Sequence, residues 1–249
     1  MKKVISGNFC YKTDVGQVRM TNEDQAFAIT NSKGRVLLLV CDGMGGQNRG
    51  DLASRLATTI ISEEFKKFPK VVGKFSDRLW MRNAIKKANN EIFSESYKNS
   101  KYKGMGTTLT AIIISDNYLV VAQIGDSRAY TLKDGELKQL TEDQTYVDYL
   151  YRTGQISKEE TLTHPKRHVL LNALGINPSV DVDIRVIDYG HEPLLLCSDG
   201  LYNNVKVPDI ESIVKTDESA EQKCESLIKI ANANGGSDNI AIAYWEVIK

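Results

Sequence analysis

Apolar residues fall along this chain in two rhythms. Nearly unbroken runs occupy Arg35–Cys41, Leu109–Ser115, Tyr118–Ile124, Val182–Asp188, Pro193–Ser198 and Asn239–Val247, most of them rich in Val, Ile, Leu or Tyr and bounded by Gly, Asp or Asn. Such runs predict strands. The stretch from Ala129 to Leu140 alternates on either side of Asp134-Gly135, a pair suited to the positive φ angles of a tight hairpin. Elsewhere the spacing turns helical. Ala53, Leu56, Ala57, Ile60, Ile61 and Phe65 recur three and four apart, as do Met81, Ile85, Ala88 and Ile92. A third amphipathic helix is predicted over Ala220–Ala231, with Cys224, Leu227, Ile228 and Ala231 on one side. Helices grouped rather than alternating with strands predict an α+β fold, antiparallel sheets covered by helices. Residues 142–177 are polar and read as a surface insertion, and with no repeat or linker the chain, 1–249, is expected to form one domain.

Composition narrows the function classes. Lys+Arg and Asp+Glu both number 32, so the net charge is zero and neither nucleic acid nor a membrane surface is an expected partner. A hydrophobic content of 41% is ample for a core and argues against disorder. The opening MKKVISGNFCYKTD has no apolar h-region, and no window is long enough to span a membrane, so a cytoplasmic location is expected. Cys10, Cys41, Cys197 and Cys224 are scattered without a C-x-x-C pair, which favours reduced thiols over disulfides or zinc.

The candidate chemistry lies at the strand ends. LLLVCDGMGG breaks from apolar residues into Asp42 and glycines, and PLLLCSDG does the same at Asp199. Asp126 ends a third apolar strand, while Asp24 and Asp238 open two more. Aspartate at a strand end is often only a turn residue. If these five converge, however, they repel one another unless a cation pairs with them, since a buried unpaired charge costs several kcal/mol. Oxygen donors without Cys or His suit Mg²⁺ or Mn²⁺. The glycines match no nucleotide-binding loop, because G-x-G-x-x-G and G-K-[ST] are both missing.

Eight segments in order, TDVGQVRMTNED, CDGMGGQNRGDLAS, MGTTLTA, GDSRAY, LTEDQT, HPKRHVLLNALG, CSDGL and GGSDNIAI, resemble the motifs of the bacterial metal-dependent Ser/Thr protein phosphatases, the PPM family. The resemblance implies a central antiparallel β-sandwich flanked by helices, in α-β-β-α layers, with a flap at about residues 146–174. It implies that Asp42 bridges two Mn²⁺ or Mg²⁺ ions, that the Gly43 carbonyl ligates one, and that Asp199 and Asp238 complete the other. Glu23 and Asp24 would hold metal-bound waters, Asp126 would serve a weaker third metal site, and Arg19 would bind the substrate phosphate. A metal-activated water would then attack phosphoserine or phosphothreonine directly, with no protein nucleophile. Phosphoprotein substrates and a cognate Ser/Thr kinase follow as partners, and a monomer is expected.

Two positions depart from the family pattern. Gln47 stands where the family usually has the histidine of D-G-M-G-G-H, and Gln144 where it has D-H-S. Neither glutamine can titrate near neutral pH. A weakly active or inactive regulatory phosphoprotein-binding protein is therefore the alternative, and a purely structural domain with turn aspartates the third reading. His164 and His168 could pair on a metal, but Pro165 disfavours helix there and both read as surface residues of the insertion. The Tyr146, Tyr149, Tyr151 cluster reads as packing of a short helix.

Overall fold

The run Val36–Cys41 is buried at every position, and its neighbours explain why. Leu37, Leu39 and Cys41 face a layer of helices, whereas Leu38 and Val40 face a second sheet. A strand covered on both sides has no use for a polar residue. The computed structural model describes residues 6–45, 49–68 and 73–248, so Gln47 lies outside the described residues.

In chain order the elements are β1 (Gly7–Asp14), β2 (Gln25–Thr30), β3 (Val36–Cys41), β4 (Gly43–Met44), α1 (Arg49–Lys66), α2 (Lys74–Lys98), β5 (Gly106–Thr107), β6 (Leu109–Ile114), β7 (Tyr118–Ile124), β8 (Arg128–Lys133), β9 (Glu136–Gln139), α3 (Tyr146–Arg152), α4 (Lys158–Thr163), β10 (Asp183–Asp188), β11 (Leu194–Cys197), α5 (Asp199–Tyr202), α6 (Val207–Val214), α7 (Ala220–Ala233) and β12 (Ile240–Val247). Two five-stranded sheets form, ordered β1-β12-β11-β8-β9 and β10-β7-β6-β3-β2. Their strand pairs are antiparallel.

The core has three layers. Ile61, Phe65, Met81 and Ile85 of α1 and α2 pack on Leu37, Leu39, Leu109 and Ile113. Between the sheets lie Leu38, Ile112, Leu196, Ala243 and Trp245. On the outer side Leu227 and Ala231 of α7 and Ile210 of α6 cover Leu195, Ile242 and Tyr244. This is the expected α+β sandwich in α-β-β-α layers. Asp134 (φ 55) and Gly135 (φ 77) turn the β8–β9 hairpin as predicted.

The structure adds elements that apolar rhythm does not reveal. β1 alternates half-buried and exposed positions and carries Lys12 and Asp14, so it has no apolar run; it forms by pairing along its whole length with β12. Helix α6 opens on Val207-Pro208, where proline's missing N–H costs nothing in the first turn. The insertion contributes α3 and α4, both N-capped, by Thr145 and Ser157. Val147 and Leu150 seat α3, while Tyr149 and Tyr151 remain exposed. The short helix is there, and of the three tyrosines only Tyr146 packs, against His164 and Lys166. Bridges Thr145–Leu170 and Thr107–Leu174 tie the insertion down at the rim of the second sheet.

Candidate metal centre

Asp42 is held by its backbone. Its N–H donates to Thr108 Oγ1 (2.9 Å), and its carbonyl accepts from Thr108 N (2.8 Å) and Thr107 Oγ1 (2.9 Å). With the peptide clamped on both sides, the side chain is aimed past the end of β3. Gly43 N–H donates to the Glu23 carbonyl (3.2 Å), which also accepts from Ser54 Oγ (2.6 Å) on α1. A Cβ on Gly43 would stand 2.4 Å from the Gly50 backbone, and one on Gly50 would stand 2.6 Å from Glu23 Oε2. The two glycines therefore let the first turn of α1 close on the Asp42 loop.

A single buried asparagine joins the remaining segments. Asn239 Oδ1 accepts from Glu23 N (2.9 Å), while Nδ2 donates to the carbonyls of Val15 and Thr21 (both 2.9 Å). Its own N–H donates to Asp238 Oδ1 (2.9 Å), and Asp238 Oδ2 accepts from Arg19 Nη2 at 2.8 Å. Gly200 lies so close to Asn239 that a Cβ would come within 1.9 Å of its carbonyl oxygen. That contact sets Asp199, at the start of α5, beside Asp238. Asp199 Oδ2 also accepts from Asn203 Nδ2 (3.1 Å). Asp126 follows β7, and the Tyr202 hydroxyl donates to its carbonyl at 3.1 Å.

The outcome is one cleft of about 440 Å³ at the sandwich edge, lined by Arg19, Glu23, Asp42, Gly43, Asp126, Asp199 and Asp238. Of the residues expected at the site, only Asp24 is absent from its wall. Asp24 is buried beneath it, and its Oδ2 has no hydrogen-bond partner. Burial pushes the Asp24 carboxyl up to about 8, with like charge from Asp199 and Asp238 adding to the shift. Asp126 is pushed to about 7 and Asp199 to about 6, in each case by burial first and a neighbouring carboxylate second. Asp42 rises well above the ordinary carboxylate range through burial and then its four acidic neighbours.

This donor set fits a hard divalent cation. It is all oxygen, it has an orphaned buried carboxylate atom below, and glycines clear space beside it. Among the described residues no three His, Cys, Asp or Glu side chains are gathered into a ready-made cage.

Thr108 and Asn239 line the cleft without having been singled out from sequence. Both sit within quoted motifs, but their work is hydrogen bonding to backbone, which residue type alone does not announce. His168 also lines the cleft, beside Leu170, while His164 turns away and accepts from Lys166 N (3.1 Å). Gln144 is fully engaged: its Oε1 accepts from Gly125 N (3.1 Å) and its Nε2 donates to the Gln123 carbonyl (3.3 Å). It braces the loop that carries Asp126. A smaller adjoining cavity of about 170 Å³ lies under the insertion, where Arg128 forks onto Asp143 and stacks 3.6 Å from the Tyr202 ring.

Residues 16–241 match the model of the Protein phosphatase 2C family. The chain is 39% identical over 237 residues to the serine/threonine phosphatase stp of Listeria monocytogenes serovar 1/2a, covering 95% of this chain and 94% of that one. It is 35% identical over 232 residues to protein phosphatase PhpP of Streptococcus pneumoniae strain R6, covering 93% and 94%. Among solved structures, serine/threonine phosphatase Stp1 from Staphylococcus aureus superposes with a TM-score of 0.93 at 32% identity, over 100% of this chain and 98% of that one. The catalytic domain of PstP in complex with two manganese ions superposes at 0.85 and 32% identity, over 98% and 100%.

Proposed function

The chain belongs to the protein phosphatase 2C family and is a metal-dependent protein serine/threonine phosphatase, and we propose that the strand-end cleft is where it removes phosphate. The observation that carries the assignment is convergence: seven residues drawn from segments between Arg19 and Asp238 line one 440 Å³ basin.

In this reading Asp42, the Gly43 carbonyl, Asp199 and Asp238 would together hold two Mn²⁺ or Mg²⁺ ions. Bound ions supply Lewis acidity and activation of water. The protein's part is positioning. The clamp from Thr107 and Thr108 keeps the Asp42 carboxylate pointed into the basin. Glu23 and Asp24 would hold waters bound to such ions, and the orphaned Asp24 Oδ2 is an acceptor suited to that. Asp126 would serve a third, weaker metal position. Arg19, more than half exposed at the rim, presents its planar fork to an incoming phosphoryl group.

The substrates are phosphoserine and phosphothreonine proteins, formed by a Ser/Thr kinase whose effect this enzyme reverses. We place the enzyme in the cytoplasm as a monomer, and the described residues contain no helix long and apolar enough to cross a membrane. The test is hydrolysis of para-nitrophenyl phosphate and a phosphothreonine peptide, titrated with Mn²⁺ and with chelator, for wild type and Asp199→Asn. Metal-dependent turnover that collapses in the variant supports the assignment. Equal turnover in both proteins removes Asp199 from the site.

A further inference from the structure

Strand β1 and helix α7 meet along a seam that the dephosphorylation chemistry does not use. The residues of β1 on one face, Cys10, Lys12 and Asp14, each find a partner on the α7 stripe formed by 221, 224, 225 and 232. Lys12 Nζ bridges Glu221 (3.4 Å) and Glu225 (2.5 Å), and Asp14 Oδ1 accepts from Asn232 Nδ2 (3.0 Å). At the far end the third rung is a pair of thiols. Cys224 Sγ lies 4.0 Å from the Cys10 carbonyl oxygen, and the two side chains are within hydrogen-bonding reach of each other. Both cysteines are free. Cys41 and Cys197, by contrast, are fully buried and belong to separate core layers.

We propose that Cys10 and Cys224 form a reversible redox pair, oxidised by hydroperoxides to an intramolecular disulfide that staples β1 to α7.

The pair is chemically asymmetric. Cys10 is half-buried, and its thiol is lowered from the usual range by the hydrogen bond from Cys224 and by the Lys12 ammonium beside it. Cys224 is buried and raised. The thiolate is the reactive form, so Cys10 is the attacking sulfur and Cys224 the resolving one. In the first step the Cys10 thiolate attacks one peroxide oxygen, the O–O bond breaks, and hydroxide leaves to give a sulfenic acid. In the second, Cys224 sulfur attacks Cys10 sulfur, the S–O bond breaks, and the hydroxyl departs as water with the Cys224 proton. Two thiols lose two electrons and the peroxide becomes two waters. A dithiol reverses the reaction by exchange.

The staple would sit behind the cleft on both of its approaches. β1 leads into the loop that carries Arg19, and α7 leads into the segment ending at Asp238. These segments already touch, through the Gln17 N–H donating to the Gly236 carbonyl (2.8 Å).

The experiment exposes the full-length wild-type protein to hydrogen peroxide, blocks remaining thiols with iodoacetamide, and maps peptides by mass spectrometry without reductant. The expected result is a linked peptide pair containing Cys10 and Cys224 that dithiothreitol separates, with Cys41 and Cys197 still alkylated after denaturation. Cys224→Ser should lose the link and instead let dimedone trap a sulfenic acid on Cys10. Cys10→Ser should leave Cys224 a free thiol. The proposal is overturned if peroxide drives wild-type Cys10 to sulfinic acid while Cys224 alkylates normally, if either cysteine links to a different partner, or if neither thiol reacts.

Discussion

Arg19 Nη2 and Asp238 Oδ2 lie 2.8 Å apart, so the expected phosphate-binding arginine rests on an expected metal ligand. The pair spans the cleft mouth and joins the first loop of the chain to the last. With the arginine 54% and the aspartate 31% exposed, it contributes little to stability, roughly 0–1 kcal/mol for pairs of this kind. Its significance is for catalysis. Arg19→Ala should reduce kcat/KM on a phosphothreonine peptide by roughly 10- to 100-fold, the effect of losing a charge-assisted hydrogen bond. Arg19→Lys should recover part of that loss, because charge returns without the planar fork. The melting temperature should hardly move in either variant; a large drop would mean that Arg19 is structural.

Asp199→Asn should abolish metal-dependent turnover, by at least about 100-fold, since losing a ligand should cost no less than losing one of its supports. It should also blunt the rise in melting temperature that Mn²⁺ gives wild type through binding linkage. Thermal melts over a Mn²⁺ titration, with and without chelator, separate the two effects. A variant that still gains the full wild-type increment would exclude Asp199 as a ligand.

Acidic crowding predicts an unusual pH profile for the chelated protein. Asp24, at about 8, Asp126, at about 7, and Asp199, at about 6, sit above the ordinary aspartate range. Their folded-state pKa values are raised, so above about pH 4 the folded chain holds protons that the unfolded chain has released. Stability from these groups is complete below that pH and is lost as pH climbs towards 8. Melting temperature in chelator should therefore fall between about pH 5.5 and pH 8, and saturating Mn²⁺ should remove the fall by pairing with the ionised carboxylates. A chelated protein that grows more stable over this range would contradict the crowding.

Gly200→Ala places a methyl carbon 1.9 Å from the Asn239 carbonyl oxygen, a distance only backbone movement can relieve. Overpacking of this kind costs about 1–3 kcal/mol, or about 2–4 °C in melting temperature per kcal/mol for a chain of this size. Because the contact sets Asp199 against Asp238, activity should fall more than stability explains. Comparing kcat at temperatures well below the melt distinguishes the two.

The hydrophobic rhythm made most of the sandwich legible. A strand enclosed on both faces, such as β3, has a near-continuous apolar code, and the aspartate that breaks it is conspicuous for that reason. β1 was invisible because an edge strand facing a polar seam needs Lys12 and Asp14 more than it needs Val or Ile. The basin's aspartates were found through their charge at strand ends and Glu23 only through the resemblance, yet Asn239, which assembles them, was not. Its contribution is four hydrogen bonds, three of them to or from residues more than two hundred positions away, and nothing local in the sequence records that. His168 was treated as an ordinary surface residue because proximity to the cleft depends on how the insertion folds back.

The Asn239 bonds also govern when the enzyme can exist during synthesis. Its partners Val15, Thr21 and Glu23 precede it by more than two hundred residues, so Asn239 and β12 are translated long after them. Closing loops of that length is entropically costly, and the pairing must wait for β12 to emerge. A nascent chain stalled before β12 can hold Asp42 but cannot bring Asp238 to it. The cleft therefore closes only after β12 has been made, and a chain cut short before it lacks the wall that Asp238 and Asn239 supply.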